Sequence, residues 1–309
     1  MRNAEYRRLN VGATNPLAGD LDNVLSQVGP LWEDLRGARL FITGGTGFFG
    51  CWLLETLLWA NDRLGLGASV VVLTRDPARF RREVPHLASD RAVTLHAGDV
   101  RTFAYPDGSF THVVHAAADP TPPRDCADRL RTFETTVVGT ARVLAFARSA
   151  GVERLLFASS GAVYGRQPAD VPCLSEDDRG GPRSNHESDA YGEAKRAAEM
   201  LCALHADDHL CPTIARCFAF VGPYLPLDAN FAIGNFIGDA LRGGPIRVTG
   251  DGTPYRSYLY GSDLAAWLWT ILVRGTSARS YNVGSPNGLS IADVSATVVR
   301  AIRCRTDIE

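Results

Sequence analysis

RLFITGGTGFFGCWLL, residues 39–54, is an apolar run that stops at a cluster of glycines and resumes as a second apolar run. The first five residues have the length and composition of a buried strand, and those from Phe48 onward suit a buried helix. Gly44, Gly47 and Gly50 stand at three-residue intervals at the junction. A strand that enters a helix this way needs one glycine for the tight turn, one so that backbone can approach a pyrophosphate, and one for close helix packing. The helix N-terminus then aims its free N–H groups at the anion. The stretch predicts a dinucleotide loop made by Gly44, Thr46, Gly47, Phe48, Phe49 and Gly50.

Before this loop, residues 1–18 are polar and aperiodic, whereas Leu21, Val24, Leu25 and Val28 recur at helical spacing behind Asp20. That pattern predicts a helix over 20–28 with Asp20 as its N-cap, within an N-terminal extension of residues 1–37. After the loop, VVVLT, AVTLHA, HVVHAA, RLLFAS and TIARC alternate with amphipathic segments near 48–61, 126–150 and 190–206. Such alternation predicts an α/β fold, a doubly wound parallel sheet of Rossmann type, over residues 38–222. Beyond Gly222-Pro223 the chain breaks into short Pro/Gly-punctuated segments: a helix near 231–242, IRVTG, SYLY, a helix near 263–273, YNVG, and a helix from the cap-like Ser290 to 303. These predict a smaller α+β substrate lobe over 223–309, partly interleaved with the first domain.

Of the 309 residues, 45% are hydrophobic and 21% charged, enough to bury a sizeable core. With 32 basic and 34 acidic residues, the net charge of −2 gives no field to draw the chain onto nucleic acid or an anionic membrane. Bound anions must be held locally. Seven scattered cysteines (51, 126, 173, 202, 211, 217, 304) lack C-x-x-C pairs and suit a reducing cytoplasm. No apolar segment follows the basic N-terminus, and no run approaches the roughly 20 residues of a membrane span. His205 and His209 beside Asp207 and Asp208 read as a solvated helix end, so no metal is expected, and His115 reads as a packed imidazole.

Two later motifs carry redox chemistry. SSGAVYG, 159–165, follows the fifth strand, and YGEAK, 191–195, sets Tyr191 and Lys195 at i and i+4 on one helix face. An ammonium beside a phenol favours the phenolate, so Tyr191 can exchange a proton with a substrate hydroxyl while Ser160 holds the same oxygen. Asp99 and Val100 after the third strand, and Ala116, Ala117 and Ala118 after the fourth, fit the walls of the dinucleotide site. Thr74 and Arg75 end the second strand where an aspartate commonly binds the ribose diol. A hydroxyl and a guanidinium suit a 2′-phosphate, which leans the cofactor toward NADP over NAD, although Asp76 could turn inward.

Taken together, Gly44, Gly47, Gly50, Asp99, Ser160, Tyr191 and Lys195 resemble the motif set of the extended short-chain dehydrogenases, the nucleotide-sugar epimerase/dehydratase family. RCFAFVGP (216–223) and IRVTGDGTPYRSYLYGSD (246–263) are similar to segments of that family's second lobe. The resemblance implies a nucleoside-diphosphate-sugar substrate, with Arg256 on the diphosphate and Asn235 as a further substrate contact. It also implies a tightly bound NAD or NADP, Tyr191 and Lys195 at its nicotinamide ribose, and a homodimer through helices 126–150 and 190–206, where Val137, Val138, Leu144 and Phe146 are apolar. Departures are Ala219 and Thr136 where the family has asparagine, and Ser257 where it has aspartate. Weak substrate candidates are Arg124 and, in the loop 166–189, Arg179, Arg183 and His186. Gly161 and Ala162 replace the acid and base that dehydratases carry, and the glutamate of decarboxylases, which predicts C4 inversion through a transient 4-keto sugar. The alternatives are a keto-sugar reductase using NADPH, a dehydratase or decarboxylase, and a dinucleotide-sensing binding protein.

Overall fold

Leu40 and Ile42 of strand β1 (Arg39–Thr43) turn to one face and Phe41 to the other, and all three are fully buried in the computed structural model. The structure describes residues 15–118, 125–168, 170–229 and 231–302. Both faces of the sheet are therefore covered, which is why its strands read as unbroken apolar runs instead of alternating ones. β1 pairs in parallel with β2 (Ser69–Thr74) and β4 (His112–His115), and β2 with β3 (Val93–Ala97). Beyond β4 come β5 (Arg154–Ser160), β6 (Cys211–Cys217) and β9 (Ser280–Val283), giving the parallel order β3-β2-β1-β4-β5-β6-β9.

Helix α2 (Phe48–Leu64) lies on one face beside α1 (Ala18–Val28) and α8 (Gly261–Arg274). Trp32, Trp52 and Trp269 fill this layer, and the Trp269 indole donates to Thr56 Oγ1 at 2.8 Å. On the other face α5 (Cys126–Ser149) and α6 (Ala190–His205) pack together. Phe41, Phe103, Phe110 and Phe146 interlock there, with ring centroids 4.6 to 6.0 Å apart. Helices α3 (Pro77–Glu83) and α4 (Pro85–Ala88), too short to show a period, connect β2 to β3.

The smaller sheet has the order β10-β8-β7 and contains β7 (Ala219–Val221), β8 (Tyr255–Tyr260) and β10 (Gly288–Ser290). Phe236 and Ala240 of α7 (Ala232–Arg242) pack with Val294 and Val298 of α9 (Ile291–Ile302) and with Ile246 as a separate core. The chain passes into the small sheet at β7, returns to the large one at β9 and leaves again at β10.

Several expectations are corrected. The first helix begins at Ala18, and Asp20 sits inside it, accepting from the Tyr260 hydroxyl at 3.0 Å instead of capping. IRVTG forms no strand; only Ile246 makes an isolated bridge. Leu144 and Phe146 belong to the core, because α5 rotates them inward against β1, so neither is open to a partner. Ser290 does cap α9, accepting from the Asp293 N–H at 3.1 Å. No helix among the described residues is long and apolar enough to cross a membrane.

Candidate dinucleotide and redox site

The strand order reverses beside β1, where the chain leaves β3 and re-enters at β4, and ligands of such sheets bind in the crevice this opens at the carboxyl ends. The glycine loop lies there. Gly44 has φ +72°, and a Cβ on it would overlap the backbone of Ala116. One on Gly50 would overlap the backbone of Gly45, so α2 can approach the turn only without a side chain at that position. Gly47 differs: the nearest atom to a Cβ there is 3.5 Å away, and the residue is exposed. It presents open backbone where a pyrophosphate would rest. No side chain caps α2, which leaves its first-turn N–H groups for an anion. These features fit a dinucleotide.

Thr46 is exposed at the tip of the loop. Phe48 and Phe49 contribute backbone, since their rings pack on Phe220 with centroids 6.5 and 5.0 Å apart. Behind the loop, Thr43 Oγ1 accepts from the Ala117 N–H at 3.2 Å and bonds His115 Nδ1 at 2.7 Å. His115 Nε2 meets Thr140 Oγ1 at 3.0 Å. Burial, then the nearby Lys195 charge, pushes the His115 imidazole down to about 3, so it stays neutral and structural. Ala118 is exposed at the end of this segment.

Two of the residues expected to carry redox chemistry, Tyr191 and Lys195, lie close together. Lys195 is buried, and its ammonium donates to the Ala158 carbonyl at 2.7 Å, two residues before Ser160. The same ammonium lies 4.7 Å from the Phe157 ring centroid and 5.9 Å from that of Tyr191. Tyr191 is 37% exposed, the accessible member of the pair. Ser160 is half-buried and accepts from the Ala162 N–H at 3.2 Å. One buried cation thus stands behind an exposed phenol, and a strand-end hydroxyl lies beside them.

The sequence profile of the NAD dependent epimerase/dehydratase family matches residues 40–284. The chain belongs to this family. It is 29% identical over 281 residues to UDP-glucuronic acid decarboxylase 2 of Arabidopsis thaliana, covering 91% of this chain and 60% of that protein. It therefore spans about three fifths of the length of the first curated relatives it matches. Among solved structures, an epimerase from Methanothermobacter thermautotrophicus aligns with a TM-score of 0.76 at 21% identity, covering 95% of this chain and 83% of that one. A dTDP-glucose 4,6-dehydratase from Streptomyces venezuelae with NAD bound aligns at 0.73 and 26% identity, covering 86% and 81%.

In this epimerase/dehydratase family member the ends of β2 and β3 carry two arginines and two aspartates, Arg75, Asp76, Asp99 and Arg101. Arg75 is exposed, and Thr74 is buried with its Oγ1 accepting from the Asp76 N–H at 3.3 Å. Asp76 does not turn inward; its carboxylate caps α3 by accepting from the Arg79 N–H at 2.9 Å. Asp99 is held by Arg101, whose Nε and backbone N–H both donate to Oδ1 at 2.9 Å. That guanidinium keeps the Asp99 carboxyl below the usual carboxylate range. Val100 points away from the crevice, and a Cβ on Gly139 of α5 would meet it at 2.9 Å.

Tyr191 opens on a cleft of about 520 Å³ whose walls include Ala162, Arg166, Pro182, Arg183 and Asp189. Arg183 donates to Asp189 at 2.9 Å and holds that carboxyl well below its ordinary value. Arg179 and His186 are exposed, and neither lines this cleft. Arg256 is exposed on β8, its guanidinium donating to the Tyr255 carbonyl at 2.7 Å, and Asn235 is half-buried on α7. Neither is among the residues that wall this cleft. Arg124 lies outside the described residues. Arg101, Arg166 and Phe218, which stacks on Tyr164 with centroids 6.3 Å apart, join the site without any motif to announce them. For Arg101 the one signal is its position two residues after Asp99.

Proposed function

We propose that this chain oxidises C4 of a nucleoside-diphosphate hexuronate, and that the resulting 4-keto acid loses carbon dioxide before C4 is reduced again. The buried Lys195 ammonium behind the accessible Tyr191 ring, held by a carbonyl two residues before Ser160, carries the reading. Tyr191 takes the proton of the C4 hydroxyl, Ser160 holds the same oxygen in line, and the Lys195 ammonium stands 5.9 Å from the centre of the Tyr191 ring. A bound nicotinamide dinucleotide supplies the oxidising equivalent and its return. Arg256 is assigned to the diphosphate, since a guanidinium matches that anion, with Asn235 as a further substrate contact.

The apolar strand end at Gly161 and Ala162 weighs against dehydration, which requires a base for the C5 proton and an acid for the departing hydroxyl. It weighs less against decarboxylation, which has no hydroxyl to expel, even though the glutamate that decarboxylases carry at this strand end is absent here. A carboxylate β to a ketone leaves as carbon dioxide when the C5–C6 bonding pair becomes the C4–C5 double bond of an enolate; Tyr191 and Ser160 donate to the enolate oxygen, and C5 then takes a proton from water, which restores the C4 ketone for reduction. The decarboxylase relatives and Arg166 in the cleft wall support this course. The second reading is the C4 inversion predicted from sequence, favoured by the absence of a proton-transferring side chain at residues 161 and 162.

The test is incubation with UDP-glucuronate, UDP-glucose and UDP-galactose, followed by mass and proton NMR analysis. Loss of carbon dioxide supports the first reading, and an isobaric C4 epimer the second. A keto-sugar reductase would leave all three unchanged and would add two hydrogens, consuming reduced dinucleotide, only to a nucleoside-diphosphate 4-keto sugar, the fourth probe; that outcome replaces both readings. We assign the cofactor as tightly held NADP in preference to NAD, on Arg75 and on the use of Asp76 as a cap. A homodimer through α5 and α6 is supported by the exposed Leu130, Val138, Met200 and Leu204 on those helices.

A further inference from the structure

One polar cluster joins the catalytic helix to segment 174–176 of the loop whose two ends, at Arg166 and Pro182, wall the cleft. Glu199 lies one turn beyond Lys195 on α6 and is buried against Arg216 of β6. Arg216 donates to the Glu199 carboxylate through Nε at 3.1 Å and Nη2 at 2.8 Å. Ser159, the neighbour of Ser160, donates its hydroxyl to the same carboxylate at 2.5 Å. The remaining nitrogen of Arg216, Nη1, donates to Tyr164 Oη at 2.9 Å and to the Glu176 carbonyl at 3.0 Å. Tyr164 passes the contact on to Asn282 Oδ1 at 2.6 Å. Asn282 then grips the loop from β9: its side-chain amide donates to the Leu174 carbonyl at 2.9 Å and its backbone N–H to the Glu176 carboxylate at 2.8 Å.

A buried ion pair is a weak source of net stability, because desolvation offsets the attraction. Its use lies in geometry, since a guanidinium fixes several acceptors in one plane. We propose that Glu199 and Arg216 are positioning residues that set the loop segment 174–176, and with it the substrate cleft, relative to Ser160 and Tyr191. The proposal rests on the assignment of Ser160, Tyr191 and Lys195 to the redox step. Neither Glu199 nor Arg216 touches the reacting atoms. Arg216 is the branch point: it reaches the loop directly at the Glu176 carbonyl and through Tyr164 and Asn282, and it reaches Ser159 through Glu199. Cutting one side should leave the other working.

Tyr164→Phe keeps the ring but removes both of its hydrogen bonds, the one from Arg216 and the one to Asn282, and so loosens the Asn282 side chain that holds the Leu174 carbonyl. With UDP-glucuronate as probe, it is expected to raise KM about ten-fold, with kcat and dinucleotide affinity within about two-fold of the wild type. Ser159→Ala cuts the helix side and should lower kcat about ten-fold at unchanged KM. Hydrogen exchange gives a second readout that needs no turnover. Segment 174–176 should exchange faster in Tyr164→Phe while 190–205 stays protected, and the order should reverse in Ser159→Ala. Equal effects of both variants on kcat and KM, or exchange changes that fail to separate, would overturn the proposal while an inactive Tyr191→Phe leaves the redox reading standing. A fully active Tyr191→Phe would bring down the redox reading, and this proposal with it.

Discussion

At the residue scale, the division of labour between Tyr191 and Lys195 is unequal. Lys195 is buried on the Ala158 carbonyl while Tyr191 stays accessible, so the two can be removed with different results. Tyr191→Phe should lower turnover by about two to four orders of magnitude and leave dinucleotide binding nearly intact, because only the proton route is lost. Lys195→Ala should impair both; steady-state rates with cofactor titration check this. At the far end of the crevice, Asp76 is engaged on the Arg79 N–H and Arg75 is exposed. Calorimetry should find NADP bound more tightly than NAD, with the preference lost in Arg75→Ala. Equal or tighter NAD binding, unchanged in that variant, overturns the NADP assignment.

At the scale of elements, the junction of β1 and α2 carries the cofactor loop, and its glycines are required by contact. Gly44→Ala places a methyl group at φ +72° against the Ala116 backbone. It should cost about 1–3 kcal/mol of stability and abolish dinucleotide retention, read from thermal melts and from absorbance of the purified protein. This junction was legible in sequence because glycine spacing reports backbone geometry directly, and Tyr191 and Lys195 were legible because i,i+4 fixes a shared face. Arg101, Arg166 and the Glu199–Arg216 pair were not. Their partners come from distant strands and loops, and an arginine within TIARC gives no sign of which carboxylate will meet it. IRVTG read as a strand on β-branched content alone, yet no neighbouring strand offers it a ladder. Leu144 and Phe146 read as an interface because composition does not say which way a helix rotates.

For the whole molecule, two buried histidines predict the response to acid. Burial, then the Arg154 charge, pushes His112 down to about 4, and His115 goes to about 3, both from the ordinary 6.5. Between pH 6.5 and about 4 the unfolded chain therefore holds more protons than the folded one. Stability should fall as the pH is lowered through that window, by about 1.4 kcal/mol per pH unit for each histidine, and gain nothing further from these groups above it. Thermal melts across the range check this, with a shallower slope expected for His115→Asn. Subunit association belongs to the same scale: Met200 and Leu204 are 60% and 71% exposed on α6. Light scattering at micromolar concentration should give twice the chain mass, reduced to one chain by Leu204→Glu; a monomeric wild type removes the dimer.

The path of the chain between its two sheets also governs when the protein can finish folding. β9 closes the open side of β6 in parallel, yet it is made only after most of the small lobe. Until then β6 presents an unpaired edge, the kind of template that recruits other chains. Loop closure across so long a stretch is slow, so the last strand of the large sheet waits on synthesis of residues 218–279. A nascent chain stalled before Ser280 should be the aggregation-prone species, and chaperone capture should peak there.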